Sequence, residues 1–125
     1  MTVLVDSDIL IEVSRARNAQ IVGRWKELGE SDSAVLYSPV TLAELWAGAR
    51  PNEYKVTSDL FRALNCVPID EELGRLAGSY LQRYRRSHGI ELADSLIAAT
   101  AVSNRANLWT RNHKHYPMTE LSFFD

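Results

Sequence analysis

The 125-residue chain contains a single cysteine, Cys66. A lone cysteine excludes an internal disulfide and any zinc site built on several thiolates. Beside Val67 it is expected to be a small buried residue, and the simplest compartment for the chain is the reducing cytosol (cytoplasmic). No apolar run approaches the roughly 20 residues that a membrane helix needs. The start, Met1-Thr2-Val3-Leu4-Val5-Asp6, has no basic stretch and meets an acid at once, unlike a secretion signal. Repeats, low-complexity tracts and linkers are missing too, so one domain over 1–125 is expected. Nor is there an excess of positive charge. With 14 Lys and Arg against 16 Asp and Glu, the formal net charge is −2, which argues against a generally basic polyanion binder. Local groups remain, among them Arg15 with Arg17, Arg83 with Arg85 and Arg86, and Arg111 with Lys114. Such groups can follow a phosphate backbone, although each alone reads as readily as a solvated helix face.

What is present is an ordinary folding composition, 46% hydrophobic and 24% charged, enough to build a core. Thr2 to Val5 reads as a short buried strand. Ser7 is a candidate N-cap and Asp8 a first-turn acid for the helix that follows. Residues 20–30 place Ile21, Trp25 and Leu28 on one helical face. A strand at 34–37 precedes a helix opened by Ser38-Pro39, which runs to about Ala49. A helix at 53–65, a strand at 66–69 and a long helix capped by Asp70 follow, the last stopping near Gly89. Residues 91–107 form the clearest helix, apolar on nearly every side. A strand at 108–110, a polar loop at 111–117 and an edge strand at 121–124 complete the chain. Strands alternating with helices imply βαβ units, hence an α/β fold with a mainly parallel central sheet and helices on both faces. Sheets of this kind bind ligands at the carboxyl ends of their strands, which draws the eye to Asp6.

Three acids stand out against apolar surroundings. Asp6 follows Val3-Leu4-Val5, where a charge at the mouth of a buried strand is costly unless paired. With Ser7 and Asp8 both free to cap the next helix, Asp6 is spare. Glu44 is the only charge in 40–48 and lies too deep in its helix to serve the macrodipole, although a plain solvent-facing Glu fits equally well. Asp94 sits in Leu92-Ala93-Asp94-Ser95-Leu96-Ile97, in a helix that reads as buried. A first-turn acid is the competing explanation, but Glu91 already supplies that charge. No Lys or Arg lies within a turn of Glu44 or Asp94 on its helix. Three carboxylates gathered without a cation would repel one another and raise some of their pKa values. A hard divalent cation such as Mg²⁺ resolves that, since it takes oxygen ligands and leaves room for a substrate phosphate. The chemistry implied is metal-assisted phosphodiester hydrolysis, and composition alone does not separate a nuclease from a phosphatase.

Four segments in order, Val3-Leu4-Val5-Asp6-Ser7-Asp8-Ile9-Leu10-Ile11-Glu12, Ser38-Pro39-Val40-Thr41-Leu42-Ala43-Glu44-Leu45, Leu92-Ala93-Asp94-Ser95-Leu96-Ile97-Ala98-Ala99-Thr100-Ala101 and Leu108-Trp109-Thr110-Arg111-Asn112, resemble the motifs of PIN-domain proteins. They are most similar to the VapC-type toxins of bacterial and archaeal toxin–antitoxin systems. The resemblance spans essentially the whole chain. It implies a three-layer α/β/α sandwich and a Mg²⁺- or Mn²⁺-dependent endoribonuclease acting on structured RNA such as tRNA or rRNA. It also implies a homodimer and a VapB-type antitoxin that blocks the site. Asp6, Glu44 and Asp94 fall on the acidic metal-binding positions, which makes them the expected catalytic residues. Asn112 is expected to support them by orienting water or a carboxylate. Many members of the family carry a fourth acid where this chain has His115, so a second metal is expected to bind more weakly here. His115, with Arg86, Arg111 and Lys114, is a candidate for holding substrate phosphates.

Two other readings compete. Asp6-Ser7-Asp8 after a strand resembles the start of haloacid-dehalogenase-like phosphatases, but that family also wants a Lys and a later acidic pair at strand ends, whereas Asp94 lies inside a helix and no acidic pair follows Leu108. A degenerate PIN domain that binds RNA or a protein without catalysis is the other. Trp25, Trp46, Tyr80 and Tyr84 are expected mostly in the core; several exposed together would mark a partner surface.

Overall fold

The computed structural model describes residues 1–125. Four short strands form one sheet: β1 (Thr2–Val5), β2 (Ala34–Tyr37), β3 (Asn65–Cys66) and β4 (Asn107–Trp109). Their spatial order is β3-β2-β1-β4, and all pairings are parallel. Parallel neighbours need crossovers, supplied by α1 (Ser7–Arg15), α2 (Ala19–Glu30), α3 (Pro39–Gly48), α4 (Tyr54–Arg62), α5 (Glu71–His88) and α6 (Leu92–Ser103). This is the α/β architecture that the strand–helix alternation predicts.

The central strand β1 shows why the sheet has two dry faces. Side chains alternate along a strand, and Val3, Leu4 and Val5 are all fully buried. Leu4 and Leu108 join Leu73, Ala77, Tyr80, Ile97 and Ala98 of α5 and α6 in one core. Val3 and Val5 turn the other way, into a second core with Ile9, Leu10, Ile21, Leu45, Phe61 and Trp109. Helix α6 presents Ala98, Ala99 and Ala101 with no exposed surface, and these small side chains let it lie close against its neighbours.

Several elements differ from expectation, each for a local reason. The strand at β3 is Asn65–Cys66 rather than 66–69, because Pro68 lacks the N–H a ladder requires. Cys66 is exposed, not buried, since β3 is an edge strand and both its residues face solvent. Helix α6 ends at Ser103, and Arg105 follows with φ 51°, in the left-handed region. Strand β4 therefore starts at Asn107, one residue early. The expected edge strand at 121–124 is only a parallel bridge, Leu108 to Phe123. Its two hydrogen bonds run from Leu108 N to Ser122 O and from Phe124 N to Leu108 O. The long helix stops at Gly89 (φ 61°), whose N–H donates to Arg85 O at 2.9 Å. Among the aromatics, Tyr80 is buried and Trp25 and Tyr84 are half-buried. Trp46 is 39% exposed and packs against exposed Tyr54 with ring centroids 5.7 Å apart.

Leu4 is the test of this core. Leu4→Ala should lower stability by about 2–5 kcal/mol, the usual cost of a large-to-small change at a fully buried site. Urea unfolding should show a lower midpoint with an unchanged slope. A midpoint equal to that of the parent chain would contradict the packing described.

Candidate metal centre and nuclease cleft

Strand β1 delivers Asp6 to the carboxyl edge of the sheet, beside the end of β4. The main chain is locked there by Asp6 N donating to Trp109 O at 2.9 Å. Sequence reasoning gives the cap of α1 to Ser7 and leaves Asp6 spare; the structure reverses this. Asp6 is the N-cap, its Oδ1 accepting from Ser7 N at 2.8 Å. Ser7, one position into the helix, is buried and donates its hydroxyl to Glu44 Oε1 at 2.6 Å. The first turn of α1 thereby holds the α3 carboxylate in place. The other oxygen of Asp6, Oδ2, accepts from Thr110 Oγ1 at 2.9 Å and from the Tyr116 hydroxyl at 2.8 Å.

Asp94 occupies the first turn of α6, and its Oδ2 accepts from Glu91 N at 3.0 Å. The capping explanation therefore applies, and it does not compete with the site, because the same side chain lines the cleft. Glu91 lies outside the helix as its N-cap. Asp94 Oδ1 faces His115 Nδ1 at 3.8 Å.

These groups line one cleft of about 280 Å³, together with Ser7, Asp8, Ile11, Asn112, His115 and Tyr116. Asp6, Glu44 and Asp94 thus share a cavity, as expected, and Asn112 and His115 join them. Arg86, Arg111 and Lys114 do not line it. Arg86 is exposed in the last turn of α5, and Lys114 is exposed in the short 3₁₀ turn His113–His115. The guanidinium of Arg111 pairs with Glu12 at 3.2 Å. No ion pair of the chain reaches Asp6, Asp8 or Glu44.

Asp8, Thr110 and Tyr116 are the residues that sequence reasoning undervalues. Asp8 reads as a helix-start acid, yet its Oδ2 accepts from Arg111 N at 3.0 Å and Asn112 Nδ2 at 3.2 Å. Tyr116 lies at the end of a polar loop, with nothing in the sequence to show that its hydroxyl turns inward. It is buried. Burial raises its pKa well above the ordinary phenol value, and the adjacent Asp6 charge and hydrogen bond add to this, so it stays a neutral donor.

Crowding shows in the acids themselves. Burial raises the pKa of Asp8, and the charge of Asp6 pushes the same way against the donors of the Thr110–Arg111 corner. Burial also raises Asp94, opposed by the Glu91 N–H and by His115, with Asp6 again raising it. The donor set is all oxygen on its acidic side, the chemistry that a hard divalent cation takes. No three His, Cys, Asp or Glu side chains close tightly enough to cage an ion unaided. A cation here would rest on one or two carboxylates with water completing its shell, which is the habit of Mg²⁺.

The raised acids carry a sign. Above their ordinary value of 3.8, the folded chain holds protons that the unfolded chain has lost. Stability therefore falls as pH rises through the window from 3.8 to the raised values, and the penalty is complete above it. Asp94→Asn should accordingly gain stability over the parent at about pH 7 and lose that advantage at about pH 3.5. Urea midpoints of the two chains at both pH values measure this; a pH-independent difference would contradict it.

Comparison with known proteins identifies the family. Residues 3–120 match the family model of the PIN domain. The chain is 39% identical over 119 residues to Ribonuclease VapC10 of Mycobacterium tuberculosis, covering 94% of this chain and 88% of that one. It is 35% identical over 116 residues to Ribonuclease VapC19 of the same organism, covering 92% of each. Among solved structures, VapBC-1 from nontypeable Haemophilus influenzae superposes with a TM-score of 0.80 at 25% identity, over 100% of this chain and 98% of that one. The chain belongs to the PIN-domain family, within its VapC group.

Proposed function

We propose that this chain is a divalent-metal-dependent endoribonuclease, the toxin of a VapBC-type pair. Mg²⁺ or Mn²⁺ would be held by Asp6 and Asp94, with Glu44 directly or through water. The observation that carries the reading is the convergence of these three acids, from three separate elements, on one cleft without a Lys or Arg partner. A bound cation would polarise the phosphodiester and favour deprotonation of water. The remaining work belongs to the protein. Thr110, Tyr116 and the Ser7 N–H hold Asp6 rigid, and Ser7 does the same for Glu44. Hydrolysis joins the water oxygen to phosphorus and opens the P–O ester bond, with a proton passing to the leaving alkoxide. His115 at the mouth of the cleft, and the exposed Arg86, Arg111 and Lys114 outside it, are placed to meet flanking phosphates.

The phosphatase reading loses ground at Asp6. The Lys which that chemistry needs beside the aspartate is missing, since no lysine lines the cleft. A hollow of about 40 Å³ between α1, α3 and α4, lined by Ile11, Arg15, Leu45 and Thr57, has room for one side chain of a VapB-type antitoxin, and it shares Glu44 with the cleft. Structures similar to this chain are VapBC complexes. Pairing as a homodimer is part of the same proposal and follows from the family resemblance.

Asp6→Asn, Glu44→Gln and Asp94→Asn should each reduce RNA cleavage in Mg²⁺ or Mn²⁺. The loss expected is on the order of a hundredfold or more, the scale of losing one preorganised electrostatic contact. Circular dichroism should show the parent fold in all three. Full retained cleavage in any variant would remove that residue from the mechanism. Metal should also stabilise the parent in thermal melts, by about 1.4 kcal/mol at tenfold over its dissociation constant. Asp6→Asn should abolish most of that gain, and an equal gain in the variant would place the cation elsewhere.

A further inference from the structure

The corner that follows β4, Thr110-Arg111-Asn112, has no regular structure of its own until the 3₁₀ turn at His113. It nevertheless supplies two groups to the cleft, the Thr110 hydroxyl on Asp6 and the side chain of Asn112. Two of its three residues are fastened by a single oxygen more than 100 residues away in the chain. Asp8 Oδ2 accepts from Arg111 N at 3.0 Å and from Asn112 Nδ2 at 3.2 Å, and Thr110 Oγ1 lies 3.4 Å away. The Thr110 hydroxyl has one proton, and the shorter contact, 2.9 Å to Asp6, takes it. The same hydroxyl accepts from Asn112 N at 3.1 Å. The corner is therefore tied at three successive residues to the two acids that flank Ser7.

A carboxylate only accepts hydrogen bonds. The group of Asn112 that faces Asp8 must then be its NH₂, and the carboxamide is fixed in one of its two orientations. Its carbonyl oxygen is then the amide atom free to face the cleft that Asn112 lines. We propose that Asp8 is a positioning residue: it clamps the 110–112 corner onto the start of α1 and orients Asn112 so that a neutral oxygen, not an amide N–H, faces the catalytic acids. An NH₂ turned inward would compete with a cation for those carboxylates; an inward oxygen adds a donor atom for it instead. Clustering this acid beside Asp6 is unfavourable in charge, and its other oxygen, Oδ1, is buried with no partner. The position is thus a poor one for an acid unless the clamp is its purpose.

The inference rests on the ribonuclease reading only in its kinetic arm. Asp8→Ala, Asp8→Asn, Asn112→Ala and the double variant Asp8→Ala/Asn112→Ala are compared in three measurements. The first is Mn²⁺ affinity by calorimetry without RNA, the second is hydrogen exchange at the Arg111 amide, and the third is RNA cleavage. Asp8→Ala should weaken Mn²⁺ about 10- to 100-fold, the range for losing a group that orients a metal site. It should also speed Arg111 exchange about tenfold or more, since a lost clamp opens the corner locally. In cleavage kcat should fall by the same 10- to 100-fold, with KM within about twofold. Asp8→Asn keeps an oxygen able to accept from Arg111 N and Asn112, and should recover most of the affinity, the exchange protection and kcat. Asn112→Ala removes the oriented group from an exposed position, so it tests the clamp even where Asp8→Ala does not fold. It should weaken Mn²⁺ comparably, and the double variant should lose no more than Asp8→Ala alone. Unchanged Mn²⁺ affinity in Asn112→Ala, or additive losses in the double variant, would overturn the proposal. So would Asp8→Asn failing as badly as Asp8→Ala. A parent chain that binds Mn²⁺ but cleaves no RNA would sink the ribonuclease reading alone, while the binding and exchange arms still judge Asp8.

Discussion

Carboxylates do not gather in a partly buried cleft unless something holds them there. In this chain Asp6, Asp8, Glu44 and Asp94 line one cavity, and no arginine or lysine neutralises them. Hydrogen-bond donors do the holding: the Ser7 N–H and hydroxyl, Thr110, Tyr116, the Arg111 and Glu91 N–H groups and Asn112. Donors of this kind satisfy oxygens without cancelling their charge. The cleft keeps its negative potential, and the acids keep fixed positions in which a cation can be received at little reorganisation cost.

The fold exists at this spot because of where a parallel sheet ends. β1 and β4 run side by side, so their carboxyl ends open together. Asp6 leaves one and Thr110 leaves the other, and a 2.9 Å hydrogen bond joins them. α3 and α6 approach the same edge and contribute Glu44 and Asp94. The buried alternation of Val3, Leu4 and Val5 seats β1 between two dry cores, which is what gives Asp6 a rigid base. Tyr116, buried under the cleft, joins the core to the site in one side chain.

Much of this was legible in the sequence. The apolar triplet before Asp6 and the alanine-rich run around Asp94 announce a buried strand and a buried helix, and the ordered motifs name the family. Legibility fails where a side chain's partner is remote. Nothing near Asp8 shows that it will meet Arg111 and Asn112, because that contact exists only once β1 and β4 are neighbours. Asp6 looks spare and Ser7 looks like a cap, yet the backbone turn at the end of β1 assigns the cap to Asp6 and frees Ser7 for Glu44. Cys66 beside Val67 looks buried, and only the strand order reveals an edge. The basic residues are the other failure. Arg111 and Lys114 lie next to site residues in sequence, but the corner at 110–112 turns the Arg111 side chain toward Glu12.

The central claim is that the acidic cleft is a divalent-cation site. Crystals grown with Mn²⁺ and measured at its absorption edge locate the ion without reference to activity. The account predicts an anomalous peak between the carboxylates of Asp6 and Asp94, within reach of Glu44 directly or through a water. A fully occupied peak elsewhere on the chain, with the cleft holding only water, would contradict it.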